Sequence, residues 1–253
     1  MGKYKLTSES ISRYGHTLYR IVATRSFGNV VEGSRGGFVE SEENLSQVGD
    51  AWISGNAKVW GNAQVQDDAR VFDNAEVFGN AKISGEAMVF GNSYVTDYAS
   101  VAGYAQVCSN AHVDYFAKIF GHAQVYGHAH ITDKSRIFEN ARVYGKAQVS
   151  DDAQVSGDSC ISGDVKVFGN ARLSGNAVIA RAGDYITFTG FGSRGLCTTA
   201  FRDTNIGARI NHNDFTGGVD DFIAKIADMY TDCDLRMEYK TIAELIRSKF
   251  LGK

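Results

Sequence analysis

Residues 69–95 read ARVFDNAEVFGNAKISGEAMVFGNSYV, a stretch that repeats almost letter for letter every six residues. The unit, A-x-[VI]-x-[GDS]-[ND], runs far beyond this window. Valine, isoleucine or leucine stands at every sixth position from Ile53 to Ile179, 22 positions without an exception. Two residues before each lies alanine, replaced only by Ser93, Ser135, Ser159 and Val165. A period of six would carry the apolar residue round the surface of a long helix, and it is not the alternation of an ordinary strand. It fits short strands joined by tight corners, with the branched residue inward, alanine at the crowded corner and Gly, Asn or Asp in the turn. Three units close a triangle. At about 4.8 Å between stacked strands, the 22 units predict about seven coils and a prism about 35 Å long.

The repeat resembles that of the hexapeptide-repeat proteins, whose fold is a left-handed parallel β-helix. Within that superfamily, GGFVESEENLSQVGDAWISGNAKV at residues 36–59 is similar to the start of the coils in YdcK-type β-solenoid proteins. The matching residues are Gly36, Gly37, Phe38 and Val39, then Leu45, Ser46 and Gln47, then Gly49, Asp50, Trp52 and Ile53. The fold class expected is mainly β: a left-handed parallel β-helix over residues 51–180, an N-terminal β cap with a lead-in over 1–50, and a small α+β domain over 181–253.

Both end segments read as caps, which a solenoid needs because its terminal coils expose unpaired backbone. KYKLT and HTLYRIVATRSF alternate as two strands of a hairpin over the first coil. After Ile179 the register is lost. YITFTGF, TTAFR and IGARINH read as strands. Val219, Phe222, Ile223, Ile226 and Tyr230 are spaced for a helix, with Asp220 and Asp221 in its first turn. A second helix carries Leu235, Tyr239, Ile242, Ile246 and Phe250 on one stripe, with Asp234 as its N-cap. This tail resembles domains at the ends of phage and prophage solenoid proteins.

Charge is balanced: six basic and six acidic residues in 1–50, 10 against 13 in 51–180, and 10 against 10 in 181–253. No segment is a basic surface for nucleic acid or membrane. No apolar run approaches the roughly 18 residues that span a bilayer. Four cysteines without a C-x-x-C pair read as free thiols in a reducing compartment, and a cytoplasmic location is expected.

Chemistry has few addresses. The hexapeptide-repeat resemblance implies acyl transfer as one function class. Such enzymes typically interrupt their coils with a loop, whereas these 22 units run uninterrupted. His112 and His130 lie three repeats apart and therefore on one face of adjacent coils, flanked by Asp114 and Thr132. They read as outward polar decoration, or as a metal site or general base of the kind found in γ-type carbonic anhydrases of the same superfamily. No cofactor is expected. Outward positions after the inward valines carry Phe72, Phe90, Tyr126 and Tyr144 on one face, an apolar stripe suited to association. Hexapeptide-repeat proteins commonly trimerise, so the resemblance implies a homotrimer. In the tail, GFGSRGLCTT offers Ser193, Arg194, Thr198 and Thr199 as groups for an anionic oxygen, with Arg209 and His212 converging from the next strand. The expected function is a non-catalytic oligomeric scaffold whose C-terminal domains bind a partner protein or a small phosphorylated ligand. The phage likeness implies counter-defence, by sequestering a nucleotide immune signal or blocking a host protein. The alternative is a coenzyme A-dependent acyltransferase.

Overall fold

The computed structural model describes residues 2–191 and 196–252. It is mainly β, a parallel β-solenoid closed at both ends. Between Trp52 and Ile179 every repeat contributes a two-residue strand, and strands three repeats apart pair in parallel, as Arg70–Val71 with Met88–Val89. They form three sheets, one per face of the prism. The first face runs through Val59, Val77 and Val95, the second through Ile53, Val71 and Val89, and the third through Val65, Ile83 and Val101. All 22 branched residues are at most 1% exposed, so the core is one continuous column of Val, Ile and Ala. Ser93, Ser135 and Ser159 stand in the alanine column, and each donates its hydroxyl to the carbonyl three residues earlier. That bond satisfies a polar group in a site otherwise reserved for a methyl.

The solenoid has about eight coils, one more than the repeat count predicts. Phe38–Val39 pairs with Lys58–Val59, and Leu45 bridges to Val65, so the lead-in segment itself forms most of a coil. The interval from Leu45 to Ile53 is eight residues rather than six, which hides this coil from a strict six-residue count.

Corners follow one rule. Their first residue takes positive φ, a region that costs glycine nothing. At Gly49 an added Cβ would stand 2.3 Å from the Asp67 carbonyl oxygen, so the close stacking of corners excludes other residues there. Where a corner lacks glycine it usually carries an acid: Asp67, Asp73, Asp97, Asp133, Asp151 or Glu139. Each of these carboxylates accepts the backbone N–H of the corner residue one coil on. The repeat's acids thus bind successive coils together, which offsets the strain of a left-handed non-glycine residue.

At the N-terminal end, strands Tyr4–Arg13 and His16–Ala23 form the hairpin, which continues the first face through Arg35–Val39. Tyr4, Ile21, Phe27 and Val30 close the top of the core. On the outer side of the same face, Leu18 and Phe38 cover Trp60, which stacks on Phe78 at 4.5 Å.

At the other end, strands Tyr185–Phe191, Leu196–Asp203, Gly207–His212 and Phe215–Gly217 make an antiparallel sheet. Helices α1 (Val219–Met229) and α2 (Cys233–Leu251) pack on one side of it. The N-cap of α2 is Asp232 rather than Asp234, because the Asp232 carboxylate reaches the amides of both Asp234 and Leu235. Strand alternation sends Ala200, Ala208 and Ile210 to the helices, while Phe201 enters the solenoid core. The sheet is therefore a wall between two cores. No helix is long and apolar enough to cross a membrane among the described residues.

Candidate functional site

The wall accounts for four of the six tail residues considered for an anionic ligand. Thr199 and Arg209 face the solenoid: the Thr199 hydroxyl accepts the Arg172 amide at 3.0 Å, and Arg209 pairs with buried Asp203 at 2.6 Å. Thr198 and His212 face the helices, each 1% exposed, joined at 2.8 Å through His212 Nδ1. His212 Nε2 meets the Tyr230 hydroxyl at 3.1 Å, and the ring packs edge-on against Tyr239 and Phe222. These four residues do not converge on one point, and their polar groups are engaged within the protein. Ser193 and Arg194 lie outside the described residues.

Instead, the solenoid-facing side of the sheet is a docking surface for the last coil. Asn211 donates to the Arg172 carbonyl and the Ser174 hydroxyl, Asp203 accepts the Asn176 amide, and Thr204 donates to the Asn176 carbonyl. The terminal edge is thereby met by the side chains of Thr199, Asp203 and Asn211 and by the Thr204 backbone amide. Asp184 adds a second tie, accepting the Ala180 and Arg181 amides and pairing with Arg202.

Acid sensitivity follows in two stages. Burial lowers the His212 pKa, so the folded domain holds a neutral ring that the unfolded chain would protonate. Its stabilisation is complete above the unfolded value of about 6.5 and declines as pH falls below it. For Asp203, burial acts upward but is outweighed by Arg209 and by the Asn205 and Asn176 amides, and the carboxyl lies below its usual range. Asp184 is lowered likewise: burial is outweighed by the Ala180 and Arg181 amides and the Arg181 and Arg202 side chains. Their contribution is lost only as pH drops through about 4 and lower. Melting of the C-terminal domain should therefore weaken gently below about pH 6.5 and steeply in strong acid. In His212→Gln the gentle stage disappears; its persistence would show that another group drives it.

Most of the outward aromatic residues of the solenoid fall into three groups, with Phe168 standing apart on the first face at 56% exposure. Trp60 is covered by the N-terminal hairpin, with Phe78 half-buried beside it. On the second face, Phe72 stacks on Phe90 at 4.7 Å and Tyr126 on Tyr144 at 4.9 Å, all four half-buried. The most exposed group flanks the third face. Tyr98, Tyr115 and Phe116 occupy one of its corners, Tyr104 the other and Phe120 the face between, all 37–58% exposed. Tyr98 stacks on Phe116, Tyr104 on His122 and Phe120 on Phe138. Tyr115 holds a left-handed φ of 51°, at a position where other coils place glycine, an acid or serine. These residues escape a search along the faces because most stand in turn positions. Lys118 and Arg136 rise beside the rings on the same face.

The histidine pair sits on the first face. Tyr94, His112, His130 and Gln148 stack in register. His130 Nε2 lies 2.8 Å from Asp114 Oδ2. One ligand atom from each of His112, Asp114 and His130 falls within 4.8 Å of the other two. Burial and the neighbouring His130 lower the His112 pKa, while the Asp114 hydrogen bond raises that of His130. Asp114 Oδ1 is buried and meets no hydrogen bond of ordinary geometry.

Compared with models of known protein families, the chain matches none, and comparison with curated proteins likewise finds no match.

Proposed function

We propose that the protein is a non-catalytic β-solenoid scaffold that assembles with copies of itself through the aromatic wall on its third face, holding its C-terminal domains in fixed array for a partner protein. The observation that carries this is the cluster of Tyr98, Tyr104, Tyr115, Phe116 and Phe120, each more than a third exposed and gathered on consecutive coils. A concentration of exposed rings of this kind favours association, and a strained tyrosine at a corner adds exposed apolar area where glycine would relieve the backbone. A homotrimer is the expected assembly. A partner protein is preferred to a phosphorylated ligand because Thr198, Thr199, Arg209 and His212 already spend their polar groups inside the molecule. Two-residue corners throughout the repeats from Ser54 to Ile179 support a scaffold over an acyltransferase, since no loop projects there to shape an acyl-carrier cleft.

Sedimentation velocity at micromolar concentration tests the reading. The wild type should sediment as an oligomer, and Tyr98→Ser/Phe116→Ser as a folded monomer. A monomeric wild type would sink the proposal. Dissociation by Phe90→Ser/Tyr126→Ser, with the third-face variant intact, would move the interface to the second face.

A further inference from the structure

We propose that His112, Asp114 and His130 form a binding site for a divalent first-row transition metal, Zn(II) in particular, held within one chain on the first face of the solenoid. The repeat builds the site. Two histidines at equivalent positions of successive coils are forced into parallel register on adjacent strands, and their rings meet edge-to-face at 5.7 Å between centroids. Asp114 follows the inward Val113, so its carboxylate emerges on the same outer surface two residues beyond His112. Tyr94 packs against the other side of the His112 ring at 4.9 Å.

Three features separate this cluster from an ordinary surface ion pair. First, the donor set is two imidazoles and one carboxylate, the combination that borderline cations such as Zn(II), Fe(II) and Co(II) favour, whereas hard cations prefer all-oxygen shells. Second, the spacing is right. Ligands at about 2.0–2.2 Å from a tetrahedral ion stand about 3.3 Å apart. His130 Nε2 and Asp114 Oδ2, now 2.8 Å apart, need separate by only about half an ångström for a metal ion to replace the shared proton. All donors already lie within 4.8 Å of one another. Third, the ion pair leaves the carboxylate incompletely satisfied. Asp114 Oδ1 is buried and meets no hydrogen bond of ordinary geometry, although the Thr132 hydroxyl also favours the ionised carboxylate, so acceptor capacity remains that a cation held by both carboxylate oxygens would use.

His112 is exposed, so an ion here keeps at least one coordination position open to water or to a small anion. His122 and His128, which stand on two separate corners, share no such arrangement and serve as internal controls.

The test is titration of chelator-treated full-length protein with Zn(II) by calorimetry and with Co(II) by visible absorption. One equivalent should bind with micromolar affinity, and Co(II) should develop the intense d–d bands of a low-symmetry site. Asp114→Asn, which exchanges a ligand carboxylate for a neutral amide, should bind Zn(II) clearly more weakly than the wild type, and His112→Ala/His130→Ala should abolish the cobalt spectrum. His122→Ala and His128→Ala should bind as the wild type does. Because His112 is exposed, His112→Ala alone retains the fold by circular dichroism and keeps the test valid if Asp114→Asn does not fold. Absence of binding by the wild type at millimolar metal overturns the proposal. So does binding that persists undiminished in His112→Ala, or that is lost equally in His128→Ala.

Discussion

Replacing Phe201 with alanine should cost about 3–5 kcal/mol in unfolding free energy and add open-ended aggregation to whatever closed assembly the wild type forms. Phe201 is fully buried, and it belongs to the solenoid core rather than to the core beneath the helices. Its neighbours in the chain divide the work by alternation. Ala200 joins the helix side, while Thr199 and Asp203 bond the backbone of the last coil. Truncating the ring leaves a cavity at the open end of the Val and Ile column, and the surrounding strands have little freedom to collapse into it because their register is fixed by the coils above. The wall then loosens where it shields the last edge. Exposed parallel edges recruit further chains, so particle size by light scattering should grow as stability by urea unfolding falls. Phe201→Leu, which refills much of the volume, should recover most of both. A loss below about 1 kcal/mol, within the ordinary range of single substitutions, would show that the ring does not wedge the two cores together.

Legibility in the sequence divides along the same line between repeat and cap. The hexad made the column from Ile53 to Ile179 readable because one residue type recurs at one inward position, and each of those residues is buried. Both helices were readable from their apolar stripes, although the start of α2 moved to Asp232, whose carboxylate bonds two amides. The extra first coil was hidden by the longer interval between Leu45 and Ile53. The wall was hidden for a deeper reason. A sheet buried on both sides carries polar and apolar residues in each direction, so Thr198, Thr199, Arg209 and His212 looked like a converging set when they point to opposite sides. Composition cannot reveal that a polar side chain is already committed to the carbonyl or amide of a coil 27–39 residues away. Likewise Tyr98, Tyr115 and Phe116 stand where the repeat calls for turn residues, so reading along the faces passes over them. In the histidine cluster the register alone gave the stacking of His112 on His130. The burial of Asp114 Oδ1 needed coordinates.

A solenoid whose stability resides in register should tolerate the loss of a whole coil far better than the loss of a single residue. Deleting residues 141–158 joins Asn140 to Ser159, which occupies the same column as Ala141, so Cys160–Ile161 takes the place of Arg142–Val143 above Gln124–Val125. Everything downstream moves one coil nearer without rotation, and the cap still meets Arg172, Ser174 and Asn176. In a stack where each coil touches only its neighbours, stability is close to a sum of coil terms. With about eight coils, the deletion removes roughly an eighth of the solenoid's share. Deleting Gly121 alone is different. It leaves His122 to span the corner that the glycine enters at a φ of 71°. The next strand can reach its neighbour only by slipping one residue, which presents Gln124 to the core and Val125 to solvent. Neither arrangement allows the coils before and after the cut to stack together, so the column splits into two halves, each with an uncovered edge. Thermal melting followed by circular dichroism should show one cooperative transition close to wild type for the whole-coil deletion. For the single deletion it should show early, broadened melting with aggregation. Equal behaviour of the two would mean that the corners yield more readily than the strands, and that the six-residue register is not what holds the rod straight.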